Sequence, residues 1–381
     1  MRLGIDASNL RAGGGLTHLT NLLAAGEPRH ARIDRVVVWA WEGLLERLPQ
    51  REWLELRHEA ALDAALPRRL WWQRHTLPRL ARAACDLLFA PGGSAPHGFA
   101  PLVTMSRNML PFEARELRRY GASAMTLRLL LLRTAQARSF RRCDGLIFLS
   151  AYARRAVEAE LGRHPRASVI PHGMEQRFRI PPRPARRLEA CSAADPLRLL
   201  YVSIVDAYKH QWQVAEAVAA LRAEGLPLAI DFVGPAYPPA LRRLRAAMAR
   251  LDPAGAFLRH PGAVPHDALA QVYRDAELFV FASSCENMPN VLLEAMAAGL
   301  PIACSDRGPM PEVLGETGAL FDPESASSIA AALRGLARDA DRRGRLAQAA
   351  QQRALGYSWE RCARDTFAFL RSVFDAHRRA A

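Results

Sequence analysis

Apolar residues fall into short continuous runs separated by longer amphipathic stretches, the pattern of strands buried on both faces alternating with helices. Arg2-Leu3-Gly4-Ile5-Asp6 reads as a buried strand, and Gly13-Gly14-Gly15 then leads into the helical spacing of Leu16, Leu19, Leu22 and Leu23. Further strands are predicted over 35–40, 86–90, 101–105, 144–150 and 167–171, with helical stretches between them. The composition changes over 181–196, where Pro181-Pro182-Arg183-Pro184 and the segment from Cys191 to Pro196 read as a linker. The alternation then restarts, with strands over 197–203, 228–233, 256–259, 278–282 and 301–304 and helices over 211–223, 241–251, 266–275 and 291–298. The expected fold is α/β: two Rossmann-like doubly wound domains, 1–180 and 197–355, with a cleft between them. A last amphipathic helix within 356–381 is expected to pack back on the first domain.

Composition changes this picture in three ways. Half the residues are apolar and 24% are charged, which excludes a disordered chain. No apolar run approaches the roughly 18 residues of a membrane span, since the cluster Leu127–Leu132 is cut by Arg128. Cytoplasmic residence is expected, because the first residues carry Asp6 within their apolar run and show no cleavable signal pattern. The six cysteines are scattered with no Cys-x-x-Cys pair, so neither a disulfide framework nor a zinc site is indicated.

The net charge is +14 and lopsided: residues 1–180 hold 28 arginines against 16 acids, a net of +12. The first half therefore faces something anionic, with nucleic acid, an anionic membrane and a phosphorylated substrate all open. Nucleic acid is the least favoured, because no recognition motif accompanies the charge. A basic, Leu-rich stretch over 113–142 suits docking on an anionic membrane. Of the 52 basic residues, 51 are arginine and one is Lys209. A compact ammonium and a planar guanidinium are not interchangeable, so the solitary lysine points to a place where arginine would fail.

The densest chemistry lies between Phe279 and Pro301. A buried strand runs into the polar loop Ser283-Ser284-Cys285-Glu286-Asn287-Met288-Pro289-Asn290, and the loop runs into the helix that Val291 opens. Ligands of open α/β sheets bind at the carboxyl ends of strands, where this loop sits. Asn290 is a candidate N-cap, and exposed backbone N–H groups here suit a phosphate or sugar oxygen. Glu294, in an otherwise apolar helix, needs a partner, and two ribose hydroxyls would satisfy it.

Glu286 and Glu294 form an E-x7-E pair, followed by Ala-Met-Ala-Ala-Gly-Leu-Pro and then Gly308, Pro311-Glu312-Val313 and Gly318. This pattern resembles the retaining nucleotide-sugar glycosyltransferases of family 4, the glycosyltransferase group 1 proteins of GT-B architecture. The resemblance implies transfer of a hexosyl-type sugar from a nucleotide diphosphate sugar to a hydroxyl of a glycan or lipid-linked saccharide, as in polysaccharide biosynthesis. Glu286 would then sit by the hydroxyls of the donor sugar, with Asn287, Met288, Pro289, Asn290 and Val291 beside it, and Glu294 would bind the nucleotide ribose. Lys209 falls where the family places a cation against the donor pyrophosphate; no metal and no cofactor are implied. Gly14 and Gly15 resemble the family's N-terminal glycine loop, which approaches the donor phosphates, and Pro171-His172-Gly173 its interdomain turn.

Two positions depart from the family. The arginine usual about five residues before the lysine is Ile204 here, leaving Arg307 or a first-domain arginine to replace it. Ser106-Arg107-Asn108 stands where a His-Asp is common, so Arg107 and Asn108 become candidate donor or acceptor contacts, with His97 in the adjacent loop. The implied location is the cytoplasm, at the inner face of the membrane. A sugar-nucleotide epimerase of the same architecture, or a catalytically silent membrane- or glycan-binding relative, are the alternatives.

Overall fold

The computed structural model describes residues 1–11, 13–96, 98–181 and 183–380; His97 and Pro182 of the expected linker lie outside the described residues. The chain forms two compact units, one made of 1–112, 122–173 and 358–381, the other of 113–121 and 174–357.

The first unit holds a seven-stranded parallel sheet of order β3-β2-β1-β4-β5-β6-β7. Its strands are β1 (Arg2–Asp6), β2 (Arg35–Ala40), β3 (Leu54–His58), β4 (Leu87–Ala90), β5 (Leu102–Met105), β6 (Gly145–Phe148) and β7 (Ala167–Val169). The second holds a six-stranded parallel sheet of order β10-β9-β8-β11-β12-β13. Here β8 is Leu197–Val202, β9 Leu228–Val233, β10 Leu258–Gly262, β11 Leu278–Phe281, β12 Ile302–Ser305 and β13 Ala319–Phe321. Helices cover the sheets, so the central strands carry uninterrupted apolar runs: every residue of β11 is at most 1% exposed. Each such side chain contributes about 2 kcal/mol on burial.

The strands that sequence reading misses or misplaces are edge strands. β3, Leu-Glu-Leu-Arg-His, is only half-buried, and β13 spans three residues. β10 lies at 258–262 rather than 256–259. An edge strand needs no second buried neighbour and tolerates charge, so it lacks the apolar run by which its inner neighbours are read. The helix predicted over 241–251 starts earlier, at Pro238, where proline's fixed φ and missing N–H suit a first turn.

The last helix, Trp359–Ala380, is part of the first unit. Trp359, Ala363, Phe367, Leu370 and Val373 form its buried stripe, which faces the Gly14–Ala24 helix and β4.

Candidate active site

In the second sheet the strand order reverses between β8 and β11, and the loops leaving their carboxyl ends carry Lys209 and Glu286. Lys209 precedes the Gln211–Ala223 helix and is only 6% exposed. Its Nζ bonds Glu286 Oε1 and lies 4.9 Å from the Tyr208 ring centre and 5.0 Å from that of Phe281. The Lys209 carbonyl accepts a 2.5 Å hydrogen bond from the buried Tyr201 hydroxyl, and its amide donates to the Asp206 carbonyl at 3.1 Å. The ammonium is thus fixed by its backbone as well as by its charge partner.

Glu286 is held from its own loop, with Ser283 Oγ donating to Oε1 at 2.7 Å. The next residue, Ser284, anchors the loop to a distant piece of chain: Ser284 Oγ donates to Glu116 Oε2 at 2.7 Å and lies 2.9 Å from His210 Nε2. Glu116 is closed by Arg119 at 2.6 Å, and Arg119 also reaches Glu324 at 2.9 Å. One residue on, the Tyr120 hydroxyl donates to Asp206 Oδ1 at 2.8 Å. Segment 113–121 therefore braces both loops of this site. Sequence reasoning missed that role and read 113–142 as one basic stretch. The available signal was acidic: both acids of that stretch, Glu113 and Glu116, lie in this segment.

Glu294 sits in the helix Asn290–Ala297. The buried Tyr273 hydroxyl donates to its Oε2 at 2.9 Å, and desolvation pushes its pKa from 4.5 up to about 7. Glu175 raises it further and Arg177 opposes the rise. A folded-state value above the unfolded one means that the native state holds the proton more tightly. That contribution is complete below pH 4.5 and is lost as pH rises through about 7. The difference is up to about 3 kcal/mol. A Glu294→Gln variant should therefore lack a decline in thermal midpoint that the parent shows between pH 4.5 and 7.5. Parallel melting curves across that range would remove this account of Glu294.

The N-cap expectation for Asn290 is corrected: the helix begins at Asn290, Pro289 is the capping residue, and no side chain caps the first turn. Asn290 Oδ1 is enclosed without a hydrogen-bond partner among the described residues. Val291 is half-buried, whereas Asn287, Met288 and Pro289 are buried in the loop before the helix. Ile204 is 37% exposed, and Arg307 is committed to Asp306 at 3.2 Å and Asp322 at 3.3 Å.

In the first sheet the order reverses between β1 and β4. The loop after β1 ends at Gly13, whose φ of 65° suits glycine, and Gly14 and Gly15 form the uncapped first turn of the helix Gly14–Ala24. A Cβ on Gly15 would lie 3.1 Å from Leu10 Cδ2 and 3.3 Å from Arg107 Nη1, so glycine is needed here for close approach. Arg107 Nη1 is enclosed with no hydrogen-bond partner among the described residues, and desolvation lowers its pKa to about 10. Asn108 Oδ1 accepts from the Leu110 amide at 3.0 Å, a local turn contact. His172 is 3% exposed, with its Nδ1 2.9 Å from that of His18, and Trp359 faces both rings. Burial, together with the Arg107 charge, drives His172 down to about 3, so the imidazole is neutral. The site residues thus form two groups: Lys209, Glu286, Glu294 and 287–291 in the second unit, and Gly14, Gly15, Arg107, Asn108 and His172 in the first.

Two doubly wound units with loops of this kind at their switch points define the GT-B class of protein. Over nearly the whole chain, the structure of Anabaena HepE in complex with UDP-glucose matches with a TM-score of 0.68 at 16% identity, covering 97% of this chain and 98% of that one. Residues 196–339 match the family described as glycosyl transferases group 1. The O-antigen chain mannosyltransferase B of Escherichia coli is 36% identical over 111 residues, 29% of each chain. The D-inositol 3-phosphate glycosyltransferase of Streptomyces avermitilis is 29% identical over 239 residues, 59% of this chain and 50% of its own. The chain spans half or less of the length of these two relatives.

Proposed function

We propose that this protein transfers a sugar from a nucleoside diphosphate sugar to a hydroxyl acceptor with retention at the anomeric carbon. The observation that carries the reading is the ion pair of the buried Lys209 with the half-buried Glu286 at the switch point between β8 and β11. A donor seated there would bring its diphosphate to the ammonium and its sugar hydroxyls to the carboxylate. Each partner of the pair would exchange the other for substrate. Glu294 would take the ribose hydroxyls as its carboxylate form.

When the anomeric carbon–oxygen bond breaks, negative charge develops on the departing phosphate oxygen, and a fixed ammonium stabilises it at the point of departure. The acceptor oxygen then bonds to the anomeric carbon from the same face, and its proton passes to that phosphate oxygen. No metal is asked for in this scheme. Arg107, whose Nη1 has no hydrogen-bond partner among the described residues, lies beside the glycine loop and serves as a contact for an anionic part of donor or acceptor. Asn108, the next residue, is a further candidate contact for donor or acceptor, and His172 meets His18 of the helix that the glycine loop opens. The mannosyltransferase and the D-inositol 3-phosphate glycosyltransferase among the relatives support this reaction class, and UDP-glucose in HepE supports the donor class. A lipid-linked or glycan acceptor at the cytoplasmic face of a membrane fits the basic first unit.

A panel of uridine and guanosine diphosphate sugars, followed by thermal shift, tests the donor class. A true donor at a hundred times its Kd stabilises the native state by about 2.7 kcal/mol and, without acceptor, is slowly hydrolysed to free nucleoside diphosphate. Absence of any shift across the panel would defeat the transferase reading, and a shift without turnover would leave a binding protein.

A further inference from the structure

Among the described residues, six of the nine exposed large apolar side chains belong to two helices of the first unit. Leu66, Leu70 and Trp71 lie on the helix Leu66–His75, and Leu127, Leu130 and Leu131 on the helix Ala124–Arg142. Single exposed leucines need no explanation, but six on two helices do. Neither helix needs them for its own packing. The first buries Trp72 and Gln73; the second buries Leu129, Gln136, Ala137, Ser139 and Phe140. Trp71, Leu127 and Leu131 are 60%, 60% and 64% exposed.

Both helices border the loop that follows β4. Gln73 Nε2 donates to the Ser94 carbonyl at 3.3 Å, and the Ala95 amide donates to Ser139 Oγ at 3.0 Å. The helix Ala124–Arg142 is capped by Ser123 Oγ, which accepts from the Thr126 amide at 3.3 Å, and it follows β5. Its leucines therefore lie in its first half, toward the carboxyl ends of the strands, the end that also carries the glycine loop.

Charge selects the occupant. The two helices carry eight arginines and His75 and not one acid. Arg68, Arg74, Arg128 and Arg138 are exposed beside the apolar positions. A second copy would set these arginines against their own kind, and nucleic acid offers nothing to the leucines. A bilayer of anionic lipids meets both demands.

We propose that these two helices dock the protein on an anionic lipid surface, with Trp71 and the leucines entering the headgroup–acyl boundary and the arginines meeting lipid phosphates. This deepens the reading above of a lipid-linked acceptor, since it would bring the first unit's glycine loop to the plane where such an acceptor lies.

The test is sedimentation of the full chain with vesicles of phosphatidylcholine alone, and with about a third phosphatidylglycerol. Binding is expected only to the anionic vesicles, weakening as salt rises from about 0.1 to 0.5 M. It should be accompanied by a blue shift of tryptophan emission that Trp71→Phe removes. The triple variant Trp71→Ser, Leu127→Ser, Leu131→Ser, at exposed positions, should keep its thermal midpoint and bind at least roughly tenfold more weakly. The variant Arg68→Gln, Arg74→Gln, Arg128→Gln, Arg138→Gln should bind weakly with little salt dependence. Equal binding to neutral vesicles, parental binding by the triple variant, or no binding would overturn the proposal. So would a concentration-dependent dimer that the triple variant dissolves, which would make a second copy the occupant. Donor-induced stabilisation, measured on the same preparations, separates the two readings, because vesicle binding without donor binding would sink the transferase alone.

Discussion

Lys209→Arg, which preserves the charge, lowers turnover by about 10³-fold, the scale on which loss of one pre-positioned charge-stabilising group acts. The side chain is 6% exposed and its ammonium is boxed by the faces of Tyr208 and Phe281, 4.9 Å and 5.0 Å away, with Glu286 on the remaining side. A compact ammonium fits between two ring faces and a carboxylate; a planar fork with five donors is wider and needs partners for each. The guanidinium would displace a ring or push Glu286 out of the crevice, and the charge would no longer sit where the phosphate leaves. A chain that writes arginine at 51 of its 52 basic positions has kept lysine at this one. The measurement is kcat with the best donor of the panel, alongside the thermal midpoint. Lys209→Met, close in shape and without charge, accompanies it so that loss of charge and loss of fit are read separately. An arginine variant within about tenfold of the parent would refute the claim that shape decides here.

How much of this was legible in the sequence follows from where each residue sits. β8 and β11, buried on both faces, announce themselves as apolar runs, and the loops they release carry Lys209 and Glu286, so these two were found together. The edge strands β3 and β13 bury less and were missed for that reason. Glu294 was readable as a carboxylate lacking a partner, and its rise to about 7 has that same desolvation as its cause. Its bond to Tyr273 was not readable, because nothing in the spacing of 273 and 294 says that a hydroxyl ends beside a helical carboxylate. The brace from Glu116 to Ser284 spans 168 residues, and that of Tyr120 to Asp206 spans 86. Periodicity is local and cannot register pairings of that length. The same limit hid His18, whose ring meets His172 across 154 residues. The leucines of 127–131 were visible as a run, but only the packing of Leu129 inward shows which of them are left outside.

Glu286→Gln carries the second large effect and reports on a different part of the donor. The substitution keeps the size of the side chain, and Ser283 Oγ can still donate to its carbonyl oxygen, so the loop should hold its conformation. What disappears is the negative charge that accepts hydrogen bonds from sugar hydroxyls and neutralises Lys209. Turnover should fall by about 10³-fold, because a carboxylate accepts charge-assisted bonds roughly twice as strong as those of an amide. Binding of the bare nucleoside diphosphate should move the other way. With Glu286 neutral, the ammonium has no internal partner to leave, and the diphosphate meets an unneutralised charge rather than an ion pair. Calorimetry should therefore show nucleoside diphosphate affinity maintained or raised in Glu286→Gln and lowered in Lys209→Met, with kcat lost in both. If Glu286→Gln instead weakens the bare nucleotide as much as it weakens turnover, the carboxylate acts by holding the loop rather than by meeting the sugar. The pairing of ammonium to phosphate and carboxylate to sugar would then have to be abandoned.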